Sequence, residues 1–127
     1  MKKGFTIIEV IVAISVITIG VLAAFSVVQK IISYTFVSSS RLTAAYLAKE
    51  RIEVVRNKRD TNWLEGQDWT DGIGTTGWAA HAKLPYDTKV TATPITSDEI
   101  KVVVEVRWQE RGNTYTIAVQ ENLYNWY

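Results

Sequence analysis

The sequence contains no cysteine, one histidine and two prolines among its 127 residues. The lack of cysteine excludes disulfides and thiolate metal sites, and the single histidine, His81, excludes a histidine-rich metal centre. A formal net charge of +1 gives no bulk electrostatic reason to expect nucleic-acid binding. The two prolines, Pro85 and Pro94, lie late in the chain, so no proline interrupts a helix before them.

Catalytic motifs are also missing. The chain has no G-x-S-x-G, no H-E-x-x-H and no phosphate-binding glycine loop, so we predict no enzyme activity and no cofactor. His81 stands in a loop-like stretch and is expected to face solvent. Asp68, Asp71 and Gly72 superficially suggest a calcium loop, but their spacing does not match an EF-hand and two carboxylates are too few, so no metal is predicted.

A long apolar stretch opens the chain. From Phe5 to Val28 the only charged residue is Glu9, and a bilayer core needs about 20 apolar residues in a helix. The segment is therefore predicted to span a membrane. Lys2 and Lys3 precede it and place the N-terminus in the cytoplasm, with everything after about residue 29 outside.

Three interpretations of this segment compete. A removable secretory signal is disfavoured because the apolar run is too long and Leu22-Ala23-Ala24 is a poor cleavage site. A plain signal anchor fits the hydropathy equally well. The third interpretation rests on Glu9, because an acid inside an apolar membrane helix is costly and is by default functional.

The start of the chain, residues 2–10 (KKGFTIIEV), resembles the leader of type IV prepilins. In that family a short basic leader ends in glycine, prepilin peptidase cuts after it, and the new N-terminal phenylalanine is usually N-methylated. The resemblance implies cleavage between Gly4 and Phe5, N-methylation of Phe5, and Glu9 as the fifth mature residue. We hypothesise that Glu9 neutralises the Phe5 amine of a neighbouring subunit, because two charges that are each costly in a low-dielectric medium become tolerable together.

One position departs from the family pattern. Major pilins commonly have proline at mature position 22, which corresponds to Ser26 here. Ser26 does not force a break, although Gly20 with Thr18 is expected to weaken the helix locally. The missing proline favours a minor pilin or a pseudopilin over a major pilin.

Beyond the membrane segment the helix is predicted to continue as an amphipathic helix over residues 29–60. Helical spacing predicts one buried stripe, formed by Ile31, Tyr34, Leu42, Ala45, Ile52 and Val55. Ser38-Ser39-Ser40 has low helix propensity and is a candidate for a local distortion. Residues 46–57, 59–63 and 123–126 resemble a subgroup of minor-pilin-like proteins.

A loop rich in glycine and tryptophan is predicted from Asn62 to Pro85. Its tryptophans, Trp63, Trp69 and Trp78, are interpreted mainly as anchors that pin the loop to the core. The other interpretation, binding of a surface or sugar ligand, stays open.

Three strands are predicted after the loop. Lys89–Thr93 reads as an edge strand ended by Pro94. Ile100, Val102, Val104, Val106 and Trp108 share one face of a half-buried strand. After a turn at residues 109–113, a strand with Tyr115, Ile117 and Val119 is expected to pair so that Trp108 lies opposite Tyr115, Val106 opposite Ile117 and Val104 opposite Val119.

The predicted fold is α+β: a long N-terminal helix, transmembrane in its first half, packed on a small antiparallel sheet. The expected organisation is a leader (1–4), a transmembrane and assembly helix (5–28), its amphipathic continuation (29–60), and a loop with a β domain (61–127).

The resemblance implies a structural subunit of a type IV pilus-like filament. Its partners would be other pilin subunits, prepilin peptidase, inner-membrane assembly machinery and, before assembly, membrane lipid. The chain would be a single-pass inner-membrane precursor and later part of an extracellular or periplasmic filament. A pseudopilin of a secretion or DNA-uptake system and a membrane-tethered binding module that never polymerises remain alternatives.

Overall fold

A computed structural model describes residues 4–126 of the chain. One helix, α1 (Ile7–Leu64), is followed by four strands: β1 (Ala79–Ala80), β2 (Tyr86–Thr96), β3 (Glu99–Glu110) and β4 (Asn113–Tyr124). The strands form one antiparallel sheet in the order β1-β2-β3-β4. The predicted α+β class, with a long helix and an antiparallel sheet, is confirmed.

The chain divides into two compact units, residues 1–38 and 39–127. In the described part of the first unit, every large apolar side chain of the helix is exposed except Val37, which is half-buried. α1 is long and apolar enough to cross a membrane. Its hydroxyl groups are satisfied locally: Ser15 Oγ donates to the Ile11 carbonyl oxygen and Thr18 Oγ1 to that of Ile14, both at 2.8 Å, so neither needs water in an apolar medium.

The predicted weak points do not interrupt α1. The helix runs through Gly20 and through Ser38–Ser40 without a break. Ser26, which stands where major pilins have proline, donates its hydroxyl to the Leu22 carbonyl oxygen (3.0 Å). This bond forms along an intact helix, because serine retains the backbone N–H that proline lacks.

The helix face buried in the second unit differs from the predicted stripe. Ile52 is buried and Val55 packs against the core, but Ile31, Tyr34 and Leu42 are exposed and Ala45 is only half-buried. The buried helix residues are Ala44, Leu47, Ala48, Ile52, Arg59 and Asn62.

Small residues explain this choice of face. The hydroxyl of Tyr86 donates to the Ser40 carbonyl oxygen (3.2 Å), so the sheet lies close to the helix backbone at this point. Tyr86 and Trp108 belong to the same buried cluster as Ala44 and Ala48. The small alanine side chains leave space for the large aromatic rings to pack against the helix. A stripe chosen from large apolar residues misses such a face.

α1 ends at Leu64, later than the predicted boundary near residue 60. Gly66 adopts a positive φ of 68° and donates its N–H to the Trp63 carbonyl oxygen (3.1 Å). Gln67 N–H likewise donates to the Asn62 carbonyl oxygen (2.9 Å). Glycine adopts this left-handed conformation without a steric penalty, so Gly66 ends the helix.

The predicted pairing of the last two strands is confirmed. Trp108 lies opposite Tyr115, Val106 opposite Ile117 and Val104 opposite Val119. The alternating apolar face of β3 is buried, as expected. The turn is tighter than predicted: it consists of Arg111 and Gly112 alone, with φ of 50° and 78°, values that suit a two-residue hairpin turn.

β2 is longer than the predicted strand and continues through Pro94. Val90 exchanges hydrogen bonds with Thr76 on the side away from β3, and Ala92 N–H donates to Thr75 Oγ1 on that side. Because alternate residues of a strand direct their N–H groups to the same side, the nitrogen of Pro94 also faces away from β3. The proline therefore costs β2 no bond to β3 and does not end the strand.

Candidate functional site

The N-terminal segment begins its helix with a capped turn. Thr6 Oγ1 accepts a hydrogen bond from the Glu9 N–H (3.3 Å), and the Thr6 carbonyl oxygen accepts one from the Val10 N–H (3.2 Å). Thr6 therefore acts as the N-cap of α1. The sequence carries a signal for this cap that was not used to predict it, because threonine three residues before glutamate is the signature of a capping box.

Glu9 lies in the first turn of α1, where the positive end of the helix dipole favours an acid. Within residues 4–126 its carboxylate makes no hydrogen bond or ion pair. It is the only ionisable side chain between Gly4 and Gln29. Among the residues that the structure describes, this carboxylate is thus a lone charge with apolar neighbours.

Exposed apolar groups surround this carboxylate. Phe5 is 83% exposed, and Ile7, Ile8 and Val10 are also exposed. Phe5 stands four residues before Glu9, and both residues are exposed in the described part of the chain. The residues to which the resemblance assigns cleavage, methylation and assembly are thus consecutive or nearly so, and they lie at the start of the exposed apolar helix. The leader residues 1–3 lie outside the described part of the chain.

The three loop tryptophans have different surroundings. Trp69 packs against the core, as predicted for an anchor. Trp78 is placed on the outer face of the sheet, where the Arg107 guanidinium lies 4.3 Å from its ring centroid, so it contacts the sheet but not the core. Trp63 belongs to α1 and not to the loop, and 42% of its surface is exposed. The interpretation of all three as core anchors is therefore correct for Trp69 alone.

The residues considered for metal binding or catalysis have ordinary local roles. The Asp68 carboxylate accepts hydrogen bonds from the hydroxyl and the N–H of Thr70, which lower the pKa of Asp68. His81 is half-buried, and its Nδ1 accepts an exposed hydrogen bond from the Lys83 N–H (3.3 Å). Among residues 4–126, no three histidine, cysteine or acidic side chains are grouped in a way that could hold a metal ion.

A polar network that the sequence analysis did not predict joins α1 to β4. Arg56 Nε donates to Glu121 Oε1 (2.7 Å), and Arg56 also pairs with Glu53. The hydrogen bond with Glu121 raises the pKa of Arg56. Arg59 is almost fully buried, pairs with Asp60 at 2.8 Å, and lies 4.2 Å from the ring centroid of Trp126. Periodicity alone gives no signal for the Arg56–Glu121 pair or the Arg59–Trp126 contact, because these partners lie far apart in sequence.

Comparison with known families supports the identity of the first segment. The model for the prokaryotic N-terminal methylation motif matches residues 1–25 of the 127. Comparison with curated proteins and with solved structures found no match. Taken with the long apolar helix and the antiparallel sheet, the motif supports a resemblance to type IV pilin-like prepilins. The motif and the helix are consistent with membrane anchoring followed by assembly with other pilin subunits.

Proposed function

We propose that the chain is a minor subunit of a type IV pilus-like filament, made as a precursor that prepilin peptidase cleaves between Gly4 and Phe5. Methylated Phe5 then becomes the first residue of the mature protein. The observation that carries the proposal is the lone carboxylate of Glu9, which lies within the methylation motif and in the first turn of an exposed apolar helix. The chain is proposed to have no enzyme activity and no metal or cofactor.

In this proposal, Glu9 of an incoming subunit pairs with the cationic amine of Phe5 in a subunit that is already docked. Both groups are costly alone in lipid, and each compensates the other when the helices pack together. The pair also fixes the axial stagger between subunits, since a single polar pair in an apolar interface can set register. The exposed side chains around Glu9 then pack against neighbouring helices instead of lipid.

The proposed location follows from the same segment. The precursor crosses the inner membrane once, with Lys2 and Lys3 in the cytoplasm. The second unit then lies outside the cytoplasm. Inner-membrane assembly machinery draws the processed chain from lipid into an extracellular or periplasmic filament.

Replacing the carboxylate of Glu9 by an amide of the same shape tests the assembly role. We expect Glu9→Gln to insert normally and to be processed, but to reduce recovery in sheared filaments at least about tenfold, because the amide cannot neutralise an amine. Glu50→Gln is the matched control, since Glu50 is an exposed acid on the same helix outside the apolar segment. Equal filament yields for both variants would refute the assembly role of Glu9.

Mass spectrometry of the membrane-purified protein tests processing independently. The proposal requires a mature chain that begins at N-methylated Phe5. A protein that retains Met1 would instead be a membrane-tethered binding module that does not polymerise. A processed chain that never reaches sheared surface filaments would be a pseudopilin, an assignment that Ser26 in place of the family's proline also favours.

A further inference from the structure

A groove of about 380 Å³ opens within the second unit. One wall is the part of α1 that carries Arg51, Val55 and Lys58, the second is the loop around Ile73, and the third is formed by β1 and β2. Its volume lies within the range of about 300–1,000 Å³ that is usual for small-molecule sites. Elements from three parts of the sequence thus enclose one cavity.

The lining is mainly apolar, and its polar side chains are two threonines, Thr76 and Thr88, and two cations. Val54, Val55, Ile73, Ala79 and Val90 supply most of the wall. Its only charged residues are Arg51 and Lys58, and no acid lines the groove. The lining therefore combines an apolar floor with uncompensated positive charge.

The two cations stand out against their neighbours on the same helix. Arg56 pairs with Glu53 and Glu121, and Arg59 pairs with Asp60. Arg51 and Lys58, by contrast, make no ion pair with any residue in the described range 4–126. Nearby carboxylates thus neutralise Arg56 and Arg59, which lie outside the groove. The two cations that line the groove, Arg51 and Lys58, have no such counter-charge among the described residues.

Lys58 is held against the groove by the loop. Gly72 has a positive φ of 69°, and a Cβ at this position would lie 3.0 Å from Lys58 Cε. The absence of a side chain lets the loop backbone approach the stem of Lys58 closely. Arg51 lies seven residues earlier, two helical turns away or about 10.5 Å along the axis, and hence on the same face of α1.

An extended peptide strand is not a suitable ligand for the groove. The backbone N–H and carbonyl of Val90, on the strand that borders the groove, are already bonded to Thr76. An extended polypeptide binds a sheet edge through free backbone groups, and these are taken. A ligand here must bind through apolar contact and charge.

We propose that this groove binds an amphipathic anion, a free small molecule with an apolar chain and a carboxylate. The chain lies on Val55, Ile73 and Val90, and the carboxylate is held by Arg51 and Lys58. Burial of the apolar part and charge-assisted hydrogen bonds to the carboxylate provide complementary contributions to affinity. This site is independent of the assembly role proposed for Glu9.

Methyl NMR of the full chain in nanodiscs of zwitterionic lipid tests the proposal, with octanoate as the probe. We expect saturable shifts at Val54, Val55, Ile73 and Val90, and none at Val102 in the core. Octanol and octyltrimethylammonium, which share the chain but not the anion, should bind at least about tenfold more weakly. The variant Arg51→Gln/Lys58→Gln should weaken octanoate binding by a similar factor.

The control variant Lys49→Gln/Lys101→Gln removes two cations outside the groove and should bind octanoate like the unmodified chain. Unchanged core methyl signals will show that each variant is folded. Equal binding of octanol, or equal binding by the Arg51/Lys58 variant, would overturn the proposal. So would a lack of saturable shifts, or groove shifts that follow the addition of phosphatidylglycerol to the nanodisc, which would identify a bilayer lipid as the occupant.

Discussion

The two units of this chain bury their apolar residues in opposite ways. In the first, up to Ser38, Leu22 is 62% exposed and no large apolar side chain among residues 4–38 is buried by the chain itself. In the second, Leu123 is 2% exposed and the apolar face of β3 is covered. The second unit supplies its own core, whereas the first leaves its burial to lipid or to other subunits. One continuous helix is thus stabilised in two different ways: by the protein's own core in the second unit, and by contacts outside the chain in the first.

Truncating one leucine in each unit is the sharpest test of this contrast. Leu123→Ala should lower the free energy of unfolding of the second unit by about 2–5 kcal/mol, because it removes buried apolar groups and leaves a cavity. Leu22→Ala should leave that free energy unchanged, since Leu22 packs against nothing in the chain. Urea unfolding of the full chain in detergent micelles, followed by tryptophan fluorescence, measures both. Equal losses would mean that the two units unfold together.

A second test concerns the polar part of the second unit. Asn62 is fully buried, and its Nδ2 donates to the carbonyl oxygens of Asp71 (2.6 Å) and Trp69 (3.4 Å). Asn62→Ala should cost about 1–3 kcal/mol, because the carbonyl oxygens of Asp71 and Trp69 lose their donor. Hydrogen exchange should also become faster in the loop after α1.

The exposed Asn57 on the same helix provides the control for this variant. Asn57→Ala should change neither the free energy of unfolding nor the exchange of the loop. If Asn62→Ala behaves in the same way, the loop is held by the packing of Trp69 alone.

A third, smaller effect is expected at the ion pair of α1 and β4. A double-mutant cycle of Arg56→Gln and Glu121→Gln should give a coupling of about 0.2–1 kcal/mol, since both side chains are partly exposed. The folded state raises the pKa of Arg56, so this stabilisation is fully present below the ordinary arginine pKa and is lost only above it. The coupling should therefore be the same at about pH 7 and about pH 10. A coupling that vanishes at the higher pH would contradict this.

The β part of the second unit was largely predictable because period-two alternation fixes which side chains share a face. A register error of one residue would have placed Val104 and Val106 in solvent, so a single pairing satisfied the pattern. The helix face was harder to predict. Its core positions include Ala44 and Ala48, which contribute little to hydropathy and are selected by the size of Tyr86 and Trp108, residues of distant strands.

The residues of the candidate site also differ in how far they could be predicted from the sequence. Gly4, Phe5 and Glu9 were identified because the leader pattern is local and contiguous. The groove and the Arg56–Glu121 pair were not, since their members come from separate elements and meet only in the fold. Three cations on α1 show this most clearly. The sequence does not distinguish Arg51, Arg56 and Lys58, but in the described part of the fold only Arg56 of these three forms ion pairs with acidic side chains.

The smallest predicted effect concerns Asp68, an exposed residue of the second unit. Its hydrogen bonds with Thr70 change the pKa of the carboxyl group although the group is not buried. Thr70 donates two hydrogen bonds to Asp68, so the pKa of this carboxyl is lowered in the folded chain. The associated stabilisation is present above the unfolded carboxyl pKa of about 3.9 and is lost as the pH falls through the lower folded value. Thr70→Ala removes the hydroxyl donor and should raise the pKa of Asp68 towards its ordinary value in an NMR titration, whereas Thr114→Ala on β4 should not. If the pKa of Asp68 is unchanged in the Thr70 variant, the hydrogen bond from the backbone N–H of residue 70 is sufficient to lower it. The hydroxyl of Thr70 would then contribute nothing to the stability of the second unit, which would come from its buried contacts.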